Sequence, residues 1–190
     1  MEDKILNEKE SLELISQMIQ NTRHKLESGH GKQFLVFGYI SVCISLAIYV
    51  LLVMTRSYYS HLLWYAIPVL GGFVMYRFGK KKEKYVKTYI ERIINNIWSV
   101  LGGAMILVAI AEFFVRLPII SLIILLSGIA VTLTGLTIKF KPVVICGIIG
   151  ALTCILPFII KGNEQSLVFA AAVIIMMIVP GHILQNKGGK

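Results

Sequence analysis

The chain has 190 residues, 56% of them hydrophobic and 15% charged, with a formal net charge of +9. Soluble domains carry about 45–50% apolar and about 25% charged residues, so this balance excludes disorder, a coiled coil and an ordinary water-soluble domain. A mean hydropathy of +0.77 points instead to a polytopic membrane protein.

Residues 1–33 are polar and read as an amphipathic helix and a linker. Asn7 followed by Glu10 has the spacing of a capping box. Leu12, Ile15, Ile19, Thr22 and Leu26 then recur at steps of three and four, and Leu14 and Met18 widen the stripe. Glu8, Glu10 and Glu13 open this helix, while Arg23, His24 and Lys25 close it, an order that complements the helix dipole. Gly29 and Gly31 are expected to end it. A secretory signal would place a short basic region directly before an apolar one. Here a long polar segment precedes the first apolar run, which is therefore expected to be a retained anchor.

Six apolar runs follow, at about 34–54, 62–78, 93–114, 118–138, 142–160 and 166–184. Each approaches the ~20 residues that a spanning helix needs. They lack the alternation of a barrel strand, and backbone in hydrocarbon must satisfy itself internally. The expected fold is therefore all-α: six transmembrane helices arranged as three antiparallel hairpins, with residues 185–190 as a tail.

The second run is short and contains Pro68. With Gly71 and Gly72, Pro68 marks the best place for a bend or a pocket, because broken helices line binding sites in many transporters. A basic cluster, Lys80, Lys81, Lys82, Lys84 and Lys87, follows this run and suits anionic headgroups. In the third run Asn95 and Asn96 stand near the entry and Glu112 near the exit, with Arg116 one turn beyond. Glu112 is the one carboxylate inside an apolar run, so it is the candidate for a substrate or ion contact. Small residues repeat at i and i+4 in four runs: Ser41 with Ser45, Ser99 with Gly103, Gly128 with Thr132, and Gly147 with Ala151. Such pairs let helices approach closely, and packing within the chain explains them more simply than a homodimer face.

Orientation follows from basic residues. Of the 19 Lys and Arg, 16 fall in the N-terminal segment, the 2–3 and 4–5 connections and the tail; only Arg56, Arg116 and Lys161 fall on the other side. Both termini are therefore expected in the cytoplasm of a bacterial inner membrane.

Catalytic chemistry is hard to find. Cys43, Cys146 and Cys154 lie in apolar runs without metal-site spacing. His61 and His182 fall at opposite ends of their spans and so do not share a metal. No P-loop, zinc-protease helix, nucleophile elbow or dinucleotide fingerprint is present. A resident cofactor, a nucleic-acid partner and an enzymatic role are all unexpected.

Residues 10–19 (ESLELISQMI) and 34–39 (FLVFGY) resemble a group of uncharacterised small membrane proteins of Bacteroidetes-type bacteria. That resemblance implies a multi-pass fold and brings no activity with it. In size and span number the chain is also similar to the substrate-binding subunits of energy-coupling-factor vitamin transporters, with Ser41 and Ser45 loosely matching their small-residue motif. The reading is a noncatalytic interaction or regulatory subunit. It would dock a cytoplasmic protein or a second copy through Leu12, Ile15, Met18, Ile19 and Leu26. The alternative is a small permease or transporter subunit with a pocket near Pro68, Gly71, Gly72 and Glu112.

Overall fold

The structure, a computed structural model, describes residues 8–55, 63–79, 89–112, 114–115 and 117–188. Among these residues the chain is helical apart from short turns, without strands. The elements are α1 (Glu8–Thr55), α2 (Ala66–Gly79), α3 (Tyr89–Ala111), α4 (Ile119–Thr137), α5 (Lys141–Leu152), α6 (Leu156–Ile159), α7 (Gln165–Val173) and α8 (Val179–Gly188). A 3-10 turn, Thr153–Ile155, joins α5 to α6, and a π turn, Ile174–Ile178, joins α7 to α8. Each of these two joined pairs forms one long apolar rod.

Five helical stretches are long and apolar enough to cross a membrane: Gly31–Thr55, Tyr89–Ala111, Ile119–Thr137, Lys141–Ile159 and Gln165–Asn186. The stretch Leu63–Val74 is apolar but shorter. The expected break at Gly29 and Gly31 is absent, since α1 runs unbroken for 48 residues. A helical glycine costs about 1 kcal/mol relative to alanine, and the close approach of α8 gives Gly31 a reason to stay small. A Cβ there would lie 3.1 Å from Leu184 Cβ and 3.2 Å from the Gly181 carbonyl oxygen.

The α7–α8 rod is the most buried of the five and forms the centre of the bundle. It runs antiparallel to α1: Gly31 meets Leu184, Gly38 meets Met177 and Ile178, and the buried Ser45 hydroxyl donates to the Ser166 carbonyl at 2.5 Å. Its other side packs on α5, where Gly150 makes room for the Met176 side chain. Pro180 explains the π turn. It has no N–H for the Met176 carbonyl and its ring crowds that carbonyl, so the preceding turn widens, with Val179 N–H reaching back to Ile174 O. In the α5–α6 rod Pro157 follows a 3-10 turn, so there the irregular turn is tightened and not widened.

The α4–α5 hairpin is the tightest seam. A Cβ on Gly128 would fall 2.6 Å from Ala151 Cβ, and one on Gly147 would fall 2.7 Å from Thr132 N. Gly135 would meet Val144 N at 2.7 Å. These three pairings hold one antiparallel register down the whole hairpin. The small residues of the two helices thus pack on each other within the chain.

The turn between them is a Schellman cap. Phe140 N–H donates to Gly135 O at 2.9 Å and Lys139 N–H to Leu136 O at 3.1 Å, with Lys139 at φ 56°. That position normally takes glycine, because an L-side chain crowds the following carbonyl there at a cost of about 1–2 kcal/mol. Replacing Lys139 with glycine is expected to raise stability by about 1 kcal/mol. Thermal unfolding in detergent checks it; a lower melting temperature would count against the cap.

Helix α3 lies at the edge and is the least buried of the five. Trp98 anchors it. The ring packs at 6.3 Å from Phe34 of α1, and its Nε1–H donates to Thr134 Oγ1 of α4 at 3.1 Å. Thr134 is fully buried, and its hydroxyl donates a hydrogen bond to Ala130 O at 2.7 Å. At the opposite end, Trp64 stacks edge-on against Phe169 at 4.8 Å, and Tyr65 OH donates to Ala109 O at 3.3 Å. These two contacts tie the start of α2 to α7 and to the end of α3.

Candidate functional site

Among the described residues, the buried polar side chains are Ser41, Ser45, Ser121, Ser127, Thr134 and Ser166. All are hydroxyls, which donate to a carbonyl one helical turn back or across a seam without carrying charge. Thr132, Thr134 and Thr137 bond the carbonyl four residues earlier at 2.7–2.8 Å. The Ser121 hydroxyl, at the start of α4, has no partner. No cluster of three His, Cys, Asp or Glu that could hold a metal occurs among the described residues. The three cysteines are free, with Cys43 exposed and Cys146 and Cys154 partly buried.

The residues singled out around the second and third runs occupy separate settings. Pro68 is exposed near the start of α2. Gly72, also exposed, has open space where a Cβ would point. Gly71 is buried, and the Phe37 ring fills the place a side chain would take. Glu112 is exposed in the turn that follows α3. The Tyr65–Ala109 bond puts the start of α2 and the end of α3 at one end of the bundle, so Pro68 and Glu112 share that end.

A cleft of about 310 Å³ lies elsewhere, on the outer face of the α4–α5 hairpin. Leu125, Ile129, Leu133, Ile148 and Ile155 line most of it, with Thr132 and Cys154 at its edge. Its walls carry no charge, so it suits hydrocarbon and not a polar solute.

The docking stripe Leu12, Ile15, Met18, Ile19 and Leu26 lies on the N-terminal part of α1, whose backbone is helical; its side chains lie outside the described ones. Lys80, Lys81, Lys82, Lys84 and Lys87, together with Arg116 and His61, lie outside the described residues.

One polar contact had no local signal in the sequence. Tyr39 OH lies 2.9 Å from His182 Nε2, across 143 residues of chain, with the two rings edge-on at 6.2 Å. Both side chains are exposed on the seam between α1 and α8. Each reads alone as an amphipathic residue near a span end, and only the α1–α8 pairing brings them together.

These features define a class: an all-helical chain with several apolar helices, as in a multi-pass membrane protein, whose buried side chains among the described residues are apolar or carry hydroxyls. The chain matches no protein-family profile, and neither a curated protein nor a solved structure is similar to it.

Proposed function

We propose that the chain is a six-span protein of a bacterial inner membrane, with both termini cytoplasmic, acting as a noncatalytic interaction or regulatory subunit. The observation that carries this reading is the length of α1. It has 48 residues, and the stretch long and apolar enough to cross begins only at Gly31. At about 1.5 Å per residue the preceding helix reaches some 35 Å beyond the span. A rigid arm bearing an apolar stripe on a bundle without buried ionisable groups among the described residues suits docking better than chemistry. The partner is a cytoplasmic protein or a second copy, and anionic headgroups meet the lysines at 80–87.

The sixth crossing is α2 with its leading turn. Residues 63–79 are helical and reach about 25 Å. A span somewhat shorter than the ~30 Å core is accommodated by local thinning of the bilayer. Tyr65 meets Ala109 of α3, Trp64 meets Phe169 of α7 and Gly71 meets Phe37 of α1, and this packing along three apolar helices supports a crossing. The 16-to-3 division of basic residues alternates correctly only with this crossing included.

Deleting residues 1–28 is expected to leave membrane insertion intact and to abolish co-purification of the cytoplasmic partner. Pull-downs from native membranes with the full and the shortened chain test this. Recovery of the same proteins by both would dispose of the docking role.

A further inference from the structure

We propose that the outward seam between α1 and α8 is a binding site for the phosphate of an anionic phospholipid. Gly31 and Gly38 are the points where α1 touches α8. Lys32 and Tyr39 each follow one of these glycines. Seven residues apart, they share one stripe, turned about 100° from the contact and exposed at its rim. From the other helix His182 meets Tyr39, and Asn186, one turn further, is also exposed. No local motif in the sequence marks any of these four as part of a site.

Their chemistry is that of an anion site. Of the two tautomers this contact allows, the one in which the phenol donates to Nε2 keeps the imidazole proton on Nδ1, a donor for an anion. The Lys32 ammonium supplies charge and the Asn186 amide a further donor. These four side chains include no carboxylate. The ring of Tyr39 lies deeper than Lys32 along α1, so its apolar body meets acyl chains while its hydroxyl points to the polar layer. A headgroup phosphate is the anion a bilayer presents at that depth. The seam is distinct from the lysines at 80–87, and the Tyr39–His182 contact gives it a defined geometry.

The inference rests on the reading of α1 and α8 as parts of membrane spans, though not on which side they face. The test is native mass spectrometry of the full chain equilibrated with phosphatidylglycerol or phosphatidylcholine. Wild type is expected to retain one phosphatidylglycerol preferentially. Lys32→Ala is expected to reduce retention about five-fold, the worth of one basic residue near a charged surface, and His182→Ala to reduce it through the lost Nδ1 donor. Tyr39→Phe should weaken it less, by freeing the imidazole to turn. Lys161→Ala, at the opposite end, should leave it unchanged. Excess inorganic phosphate should not displace the lipid; displacement would mean a free-phosphate site and overturn the proposal. So would equal retention by the Lys32→Ala/His182→Ala double variant. Because a variant can misfold, the wild type carries a second readout. Selective ¹⁵N-histidine NMR should show the His182 Nδ1 signal move with phosphatidylglycerol and not with phosphatidylcholine, and a stationary signal refutes the site. Labelling of a cysteine at position 186 from outside the cell would overturn the orientation while leaving the lipid result standing, so the two failures are separable.

Discussion

Leucine in place of Gly128 or Gly147 destabilises the bundle by about 3 kcal/mol, the upper part of the range for overpacking a close seam. The atoms in the way are backbone: Ala151 Cα and N for Gly128, and Thr132 N and Cα for Gly147, all within 3.0 Å of the added Cβ. A flexible side chain swings aside, but a helix backbone moves only by shifting the whole rod. In lipid no hydrophobic force drives the helices back together, so lost van der Waals contact is not recovered elsewhere. The control lies on α3. Gly102 and Gly103 have nothing within 4 Å of the place a Cβ would take, so alanine there should be neutral or stabilising by up to about 1 kcal/mol. Thermal unfolding of the four variants in one detergent separates the cases. Equal melting temperatures would show that the hairpin register is not the one described.

Trp98→Ala is the second large effect, at about 3 kcal/mol. Trp98 joins the least buried long helix to two others, through Phe34 and Thr134. Its removal leaves a void beside Ile94, which is 2% exposed, and leaves the Thr134 hydroxyl with its bond to Ala130 alone. Trp98→Phe keeps most of the packing and loses the indole donor, which a hydrogen bond between membrane helices values at about 0.6 kcal/mol. Hydrogen exchange should localise the loss to α3. If α3 amides keep their protection in the alanine variant, the anchor is elsewhere.

Much of the helical layout was legible because apolar runs bounded by proline and charge have one physical solution in hydrocarbon. The runs at 118–138 and 142–160 are the helices Ile119–Thr137 and Lys141–Ile159, with Pro118 and Pro142 at their starts. The small pairs Gly128/Thr132 and Gly147/Ala151 also announced a close seam, and they meet each other. Glycine misled at one place. Gly29 and Gly31 looked like a helix stop, yet glycine breaks a helix only when nothing else holds it, and Gly31 is held against α8. Gly71 drew notice for a bend or a pocket, and its partner, the Phe37 ring, had no signal in the sequence. Both are tertiary contacts, invisible to local pattern. The same holds for Tyr39 and His182, whose partnership depends on the first and last helices being neighbours. The π turn was legible only as Pro180, since the choice between a kink and a widened turn depends on surrounding packing.

The central claim is that α2 completes a six-span topology with both termini inside. Its most direct test is thiol labelling of intact cells by a membrane-impermeant reagent. Single cysteines are placed at 58, 82 and 163 in a chain whose native Cys43, Cys146 and Cys154 are replaced. Six spans predict labelling at 58 and 163 and protection at 82 until the membrane is opened. Labelling of 58 and 82 from the same side would mean that α2 does not cross, and the topology would be wrong.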